Sequence, residues 1–440
     1  MREERAFGLT PELGRWGFIL VGLSMNLCLG AVYAYSIFKP AVERVYGVNA
    51  FRGNLPFMTF LFSFAVTMFF GGRIMERIGP RWLALGGGLV VGLGWILSSF
   101  AGSIWMLVLT YGVIAGSGVG LVYGCPVAMG ARWFPDRKGL AVGLMLAGFG
   151  GSAVITGRIA SLLIGDIKTL PVEQLAVTLP RTFLCFGVAF AALLVLLALP
   201  FRFPAAGWKP RGWNPPAAAA GEFDLDGRGM LKTSAFWGLF LCYTIGCLAG
   251  LMAIGISKPV GSDVIKIAST TASSLVGVFA VFNALGRPLF GWLADRLSPK
   301  AAAVINLSII LATSLAMLFA GENTTALYVA AFAGFWLCLG GWLAIAPAAT
   351  ATFFGMAHYS RNYGTVFFAY GLGAILGGVI SGHAKDMFGS YTYAFYPTAG
   401  LALAGIAIAI LFLDRGAEIN PAASPTDGRP GMTAGSAPAR

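Results

Sequence analysis

The stretch VFNALGRPLFGWLADRLSPK, from Val281 to Lys300, places one arginine, Arg287, inside an apolar run. A guanidinium does not shed its charge, and an arginine at the centre of a bilayer costs about 2.5–3.5 kcal/mol on insertion scales. Its planar fork of five donors matches a carboxylate through two parallel hydrogen bonds, whereas a sugar or an apolar molecule leaves the charge unmatched. Asn283 stands four residues earlier, hence on the same helical face about 6 Å away. Pro288 cannot donate a backbone hydrogen bond, which frees the carbonyl of Ala284 and favours a local bend. A purely structural or snorkelling arginine is the plainer reading, but a lysine snorkels more easily. The residue types point to an organic acid as ligand.

The elements that must position Arg287 are membrane helices. The chain has 440 residues, 57% hydrophobic and only 11% charged, far from the roughly one-quarter charged composition of a soluble domain. A spanning helix needs about 20 apolar residues, and twelve stretches qualify: 16–38, 52–72, 82–102, 105–130, 139–164, 182–203, 235–257, 269–293, 301–320, 325–349, 363–383 and 391–413. The first is read as retained, since it is too long for a signal-peptide core. With both termini cytoplasmic, twenty Lys and Arg fall on the cytoplasmic side and eight, Lys39 and Lys258 among them, on outer loops and helix ends. That imbalance sets the orientation and accounts for the net charge of +12 without nucleic acid. Arg158, inside the fifth stretch, is read as a snorkelling residue.

The chain repeats itself. FKP at Phe38 to Pro40 returns as SKP at Ser257 to Pro259, and GRIMERIGPR from Gly72 returns as GWLADRLSPK from Gly291, both after 219 positions. Pro126 is echoed by Pro347, and Trp133-Phe134 by Phe353-Phe354. The expected organisation is a six-helix bundle over 1–203, a Pro/Gly/Ala-rich cytoplasmic linker over 204–234, a second bundle over 235–414 and a disordered cytoplasmic tail over 415–440. The fold class is all-α, a polytopic membrane protein of twelve spanning helices in two repeats. Parallel repeats of this kind place a site near midplane where the bundles meet.

With the cytoplasmic charges as rulers at about 1.5 Å per residue, Arg287 (eight residues from Asp295), Tyr370 (nine from Arg361) and Tyr123 (nine from Arg132) all lie about 12–14 Å deep in a core about 30 Å thick. They can line one cavity, with tyrosine hydroxyls as donors and rings as apolar walls. Asn26 falls at a similar level, although a buried Asn often only bonds a neighbouring helix. Phe335 and Phe367 are candidate aromatic walls, or plain core. Six scattered cysteines and two histidines offer no metal-ligand spacing, so no metal or cofactor is expected, and no nucleophile with a base or HExxH dyad suggests an enzyme.

At this point the chain resembles the major facilitator superfamily. The resemblance rests on the loop from Gly72 to Arg81, with Glu76-Arg77 where the family usually has Asp-Arg, and on its second copy with Asp295-Arg296. It implies that these four form a conformational motif, a carboxylate pairing with a basic neighbour on one face of a transport cycle and releasing it on the other. The run from Arg132 to Ala141, RWFPDRKGLA, and Asn283-Ala-Leu-Gly-Arg287 are similar to motifs of the monocarboxylate transporter and oxalate/formate antiporter families. There an arginine at the place of Arg287 is the carboxylate ligand, which implies a bacterial homologue of the proton-linked monocarboxylate transporters.

The resemblance also marks departures. A helix-11 lysine of the oxalate antiporter corresponds here to Tyr370, so one cation suits one carboxylate, of lactate or pyruvate type. The aspartate usually one turn before the arginine is Asn283. The proton then travels with the substrate or uses Asp263 or Glu43 near the outer face, and Lys39 corresponds to a helix-1 lysine of these families. The expectation is proton symport of a small monocarboxylate by a monomer in the bacterial inner membrane, termini cytoplasmic, with no nucleic-acid partner. An oxalate/formate-type anion antiporter is the alternative, and a non-transporting membrane receptor a further one. A drug exporter is disfavoured because Gly143 to Gly157 lacks proline.

Overall fold

The computed structural model describes residues 7–167, 169–205, 208–212, 225–355 and 358–413. The expected tail, and 206–207 and 213–224 of the expected linker, lie outside them. The membrane helices are α1 (Pro11–Tyr46), α2 (50–78), α3 (80–98), α4 (Ile104–Trp133), α5 (Ala141–Ile164), α6 (Val172–Ala198), α7 (Ser234–Val264), α8 (Ser269–Arg296), α9 (Pro299–Leu318), α10 (Thr325–Phe354), α11 (Arg361–Phe388) and α12 (Tyr391–Phe412). No strand occurs among the described residues. Each of the twelve expected stretches is helical over most of its length, with 99–102 and 199–203 lying past the ends of α3 and α6, and the even number returns the last helix to the end of the molecule where the first began. We call this the terminal end and the opposite one the far end.

Two boundaries carry information. α2 and α3 form one helical run, Ala50–Ser98, broken only at Gly79, whose φ of 83° suits a residue without Cβ; Pro80 then starts α3 with its fixed φ. The second copy of the repeat does the same with Ser298, whose side chain accepts from the Ala301 amide, and Pro299 at the first helical position. α1 runs past the expected limit of 38, through a 3-10 segment at Gly30–Ala34 and past Pro40. Lys39 was expected at the helix boundary. It lies instead about two turns inside α1 and is fully buried, so it does not snorkel. Lys258 is likewise inside α7 and buried, whereas Arg158 is exposed on the bundle surface, as a snorkelling residue is.

Close packing of α8 on α10 fixes the register of Arg287. A Cβ on Gly286 would strike the Leu337 carbonyl oxygen, and one on Gly340 the Asn283 carbonyl oxygen. Only glycine at both points lets the backbones approach this closely, and the approach lets Asn283 Nδ2 donate to the Trp336 carbonyl at 2.9 Å. α8 also packs on α5 of the first six helices, where a Cβ on Gly150 would lie 2.7 Å from Asn283 Oδ1. The centre of α8 is therefore pinned from both sides.

At the terminal end the repeated aromatic pairs anchor the connecting chain. Trp133 Nε1 donates to the Arg202 carbonyl at 2.8 Å, and Trp208 packs on the Trp133 ring. Arg15 grips Asp136 with both nitrogens, at 2.6 and 2.9 Å, and donates to the Trp133 carbonyl. Those hydrogen bonds from Arg15 hold the Asp136 carboxyl below the usual aspartate range. In the second copy Phe354 accepts from the Leu225 amide at 3.0 Å, and Asn362 Nδ2 donates back to the Leu225 carbonyl at 2.8 Å.

At the far end α11 clasps α2. Asp386 Oδ1 and Oδ2 accept from the Ala50 and Phe51 amides at 2.9 and 3.0 Å, satisfying two of the orphan donors of the α2 N-terminus while its negative charge complements the helix dipole. Asn54 Nδ2 donates to Ser381 Oγ at 3.2 Å, and Phe51 packs on His383.

Two outcomes follow. Gly340→Ala should destabilise the protein by about 1–3 kcal/mol through overpacking, read as a lower apparent melting temperature in detergent, while alanine at the open position Gly86 should leave that temperature unchanged. Asp386→Asn should loosen the clasp, so that a cysteine replacing Met58, which is buried in the α2–α11 seam, reacts with a water-soluble maleimide several-fold faster; an unchanged rate would show that the cap does not hold this end shut.

Candidate functional site

Arg287 is 5% exposed. Nη1 donates to the Leu146 carbonyl of α5 at 2.8 Å, while the buried Nε and Nη2 have no partner. Among the described residues no carboxylate lies within ion-pair distance of it. A buried donor without an acceptor is costly, and for an ionised group more so. The unspent edge is the Nε–Nη2 side of the fork, which is a geometry that receives two carboxylate oxygens.

Four of the residues singled out in the sequence share this region. Asn283 is one turn away and fully buried, its Oδ1 also without a partner. The Tyr123 hydroxyl meets the Arg287 guanidinium. Tyr370 stacks on Phe367 with centroids 5.0 Å apart, and its hydroxyl lies 3.0 Å from that of Tyr33. Phe64 packs on Tyr123, Phe149, Phe367 and Tyr370 with centroids 5.1–5.8 Å apart. Tyr33 meets the edges of Phe149 at 5.0 Å and Trp336 at 6.2 Å. The guanidinium edge and the phenols thus sit inside an aromatic box assembled from α1, α2, α4, α5, α8, α10 and α11.

Tyr33, Phe64, Phe149 and Trp336 were not anticipated. Asn26 was placed by counting from Arg15, which is itself buried and paired with Asp136. A signal was available, since Tyr33 follows Asn26 by seven residues, two turns along one face.

Asn26 is not brought to the site. Its Nδ2 donates back to the Gly22 carbonyl at 3.0 Å, and its Cβ faces Gly148 at the α1–α5 crossing. Phe335 stacks on Phe395 with centroids 5.7 Å apart, between α10 and α12, because it projects about 100° around α10 from the wall that Trp336 contributes.

Lys39, Glu43 and Asp263 gather at the far end instead. Lys39 Nζ donates to the Tyr391 hydroxyl at 2.7 Å, lies over the Tyr391 ring and is 3.5 Å from Glu43 Oε1. Asp263 pairs with Lys385 at 3.6 Å, and the Lys385 ammonium also lies over the Tyr391 ring, 5.4 Å from its centroid. Asp263 and Asp386 act electrostatically on both Lys39 and Glu43. This polar layer joins α1 to α7, α11 and α12 beside the Asp386 clasp. At the terminal end Glu76, Arg77, Asp295 and Arg296 are exposed, and neither acid makes an ion pair among the described residues. Arg296 lies over the Trp292 ring.

The chain is 28% identical over 416 residues to the oxalate:formate antiporter of Oxalobacter formigenes, covering 92% of this chain and 93% of that one. It is 26% identical over 416 residues to monocarboxylate transporter 13 of Rattus norvegicus, covering 91% and 90%. A crystal structure of a bacterial homologue of the human lysosomal transporter Spinster, inward-facing and unoccupied, superposes with a TM-score of 0.65 at 16% identity, over 91% of this chain and 94% of that one. The family model described as Major Facilitator Superfamily matches residues 19–257 and 239–437. The chain belongs to the Major Facilitator Superfamily.

Proposed function

We propose that this transporter moves small monocarboxylates of the lactate and pyruvate type by proton symport, with Arg287 as carboxylate ligand. One observation carries the reading: a buried guanidinium between the two sets of six helices, with Nε and Nη2 unspent and no acid among the described residues to neutralise it. The aromatic box around it suits a short apolar chain better than a second charged group. Tyr370, where a second central cation would serve a dicarboxylate, favours one carboxylate over two. The names of the relatives, a monocarboxylate transporter and an oxalate:formate antiporter, agree with an organic anion.

Alternating access requires one end to open while the other is shut. The far-end clasp and the unpaired terminal-end motif are what a state closed at the far end requires. With the termini cytoplasmic, in a bacterial inner membrane, that state faces inward, and the protein works as a monomer. Entry of an anion against an inside-negative potential costs about 2.3 kcal/mol per charge per 100 mV, and a co-transported proton removes that cost. Asn283 cannot carry it. Glu43 is the acid beside Lys39, so we assign the proton to this far-end pair, with Asp263 completing the layer.

The test is uptake of labelled lactate, pyruvate, acetate, formate and oxalate into proteoliposomes with and without an inward proton gradient. Lactate or pyruvate should accumulate with the gradient, and Arg287→Gln should reduce this at least a hundredfold, as removing one side of a buried ionic contact worth about 3–5 kcal/mol does. Oxalate exchange indifferent to the gradient would replace symport by anion antiport, and binding without flux would indicate a receptor. In a second measurement, Glu43→Gln should abolish accumulation above equilibrium yet keep lactate exchange within about threefold. Undiminished accumulation in that variant would remove Glu43 from the proton path.

A further inference from the structure

We propose that Tyr33 is a specificity-determining residue: paired with Tyr370 across the two sets of helices, it reads the oxygen on C2 of a 2-oxo or 2-hydroxy acid. This rests on the reading of Arg287 as the carboxylate ligand. The two phenols are both fully buried and lie 337 positions apart in sequence, one from α1 and one from α11. Their oxygens are 3.0 Å apart, and neither has another hydrogen-bond partner among the described residues. Two hydroxyls bring two hydrogens, and one bond between them uses one. One O–H therefore points to no acceptor of the protein, beside a guanidinium that also holds unspent donors.

Tyr35 and Tyr328, also buried, do not share this deficit, whereas the buried Tyr243 hydroxyl is likewise without a partner. Tyr35 spends its hydrogen on the Gly53 carbonyl at 2.6 Å, and Tyr328 on the Ser257 carbonyl at 2.7 Å. The pair is held in place by ring packing, with Phe149 and Trp336 against Tyr33 and with Phe64 and Phe367 against Tyr370. Arg287 is near enough to act electrostatically on Tyr33. A carboxylate on the Nε–Nη2 edge would put its C2 substituent toward the phenols. A keto oxygen accepts the free O–H; a hydroxyl accepts it and can donate to a phenol lone pair. An acid with only hydrogens on C2 leaves the donor unmatched, and a buried unmatched donor is where a polar site discriminates.

The experiment is competition against labelled lactate in counterflow, with lactate, pyruvate and propionate as unlabelled competitors. Propionate has the lactate skeleton without the hydroxyl. Wild type should favour lactate and pyruvate over propionate by about tenfold. Tyr33→Phe keeps the ring and removes the oxygen, so it should bring that ratio to within about twofold while the half-inhibitory concentration of propionate stays unchanged. Tyr370→Phe should do the same, the double variant no more, and Tyr370→Phe alone decides if Tyr33→Phe does not reach the membrane. A retained ratio, equal weakening of all three acids, or a wild type that does not distinguish them overturns the role of Tyr33 and leaves the Arg287 reading standing. A wild type that exchanges none of them overturns both.

Discussion

A permanent charge buried among aromatic rings in a membrane protein must find an opposite charge or a set of acceptors, and Arg287 has spent only one nitrogen on a carbonyl. The rest of the molecule is arranged around that deficit. Glycines at 286 and 340 bring α8 against α10, Gly150 brings it against α5, and the Leu146 carbonyl steers the guanidinium so that its Nε–Nη2 edge stays free. Asn283 spends its amide on α10 and keeps an oxygen in reserve. Among the described residues no acid competes for the fork, and this is the basis for proposing an anionic ligand.

The two ends of the bundle solve a different problem. The far end combines exposed and half-exposed charges and helix-terminal donors with the buried Lys39. Asp386 accepting two amides at the start of α2 is one contact of this end, and Lys39 shared between Tyr391 and Glu43 is another. The latter places a titratable acid where the two sets of helices meet. In the proposed symport, protonation of Glu43 would change the charge of this polar layer without touching Arg287.

Much of this was legible in the sequence, for physical reasons. Apolar runs of about 20 residues and a repeat of 219 positions fix spans and pseudo-symmetry, and a charged residue among apolar ones exposes itself by its cost. Tyr123 and Tyr370 were reachable because α4 ends and α11 begins at the basic residues used as rulers. Tyr33 was not, because Arg15 is folded into an ion pair with Asp136, and α1 is lengthened by the Gly30–Ala34 turn and continues past Pro40. The same lengthening turned Lys39 from a boundary residue into a buried one. Phe335 and Trp336 are neighbours about 100° apart on α10, so which of them meets the site depends on helix rotation, which composition does not encode.

The most direct measurement is a structure determined with lactate bound. The account predicts a carboxylate with both oxygens within hydrogen-bonding distance of Arg287 Nε and Nη2, inside the box of Phe64, Phe149 and Phe367. A carboxylate held by Lys39, or density elsewhere with the guanidinium edge still unmatched, would contradict it.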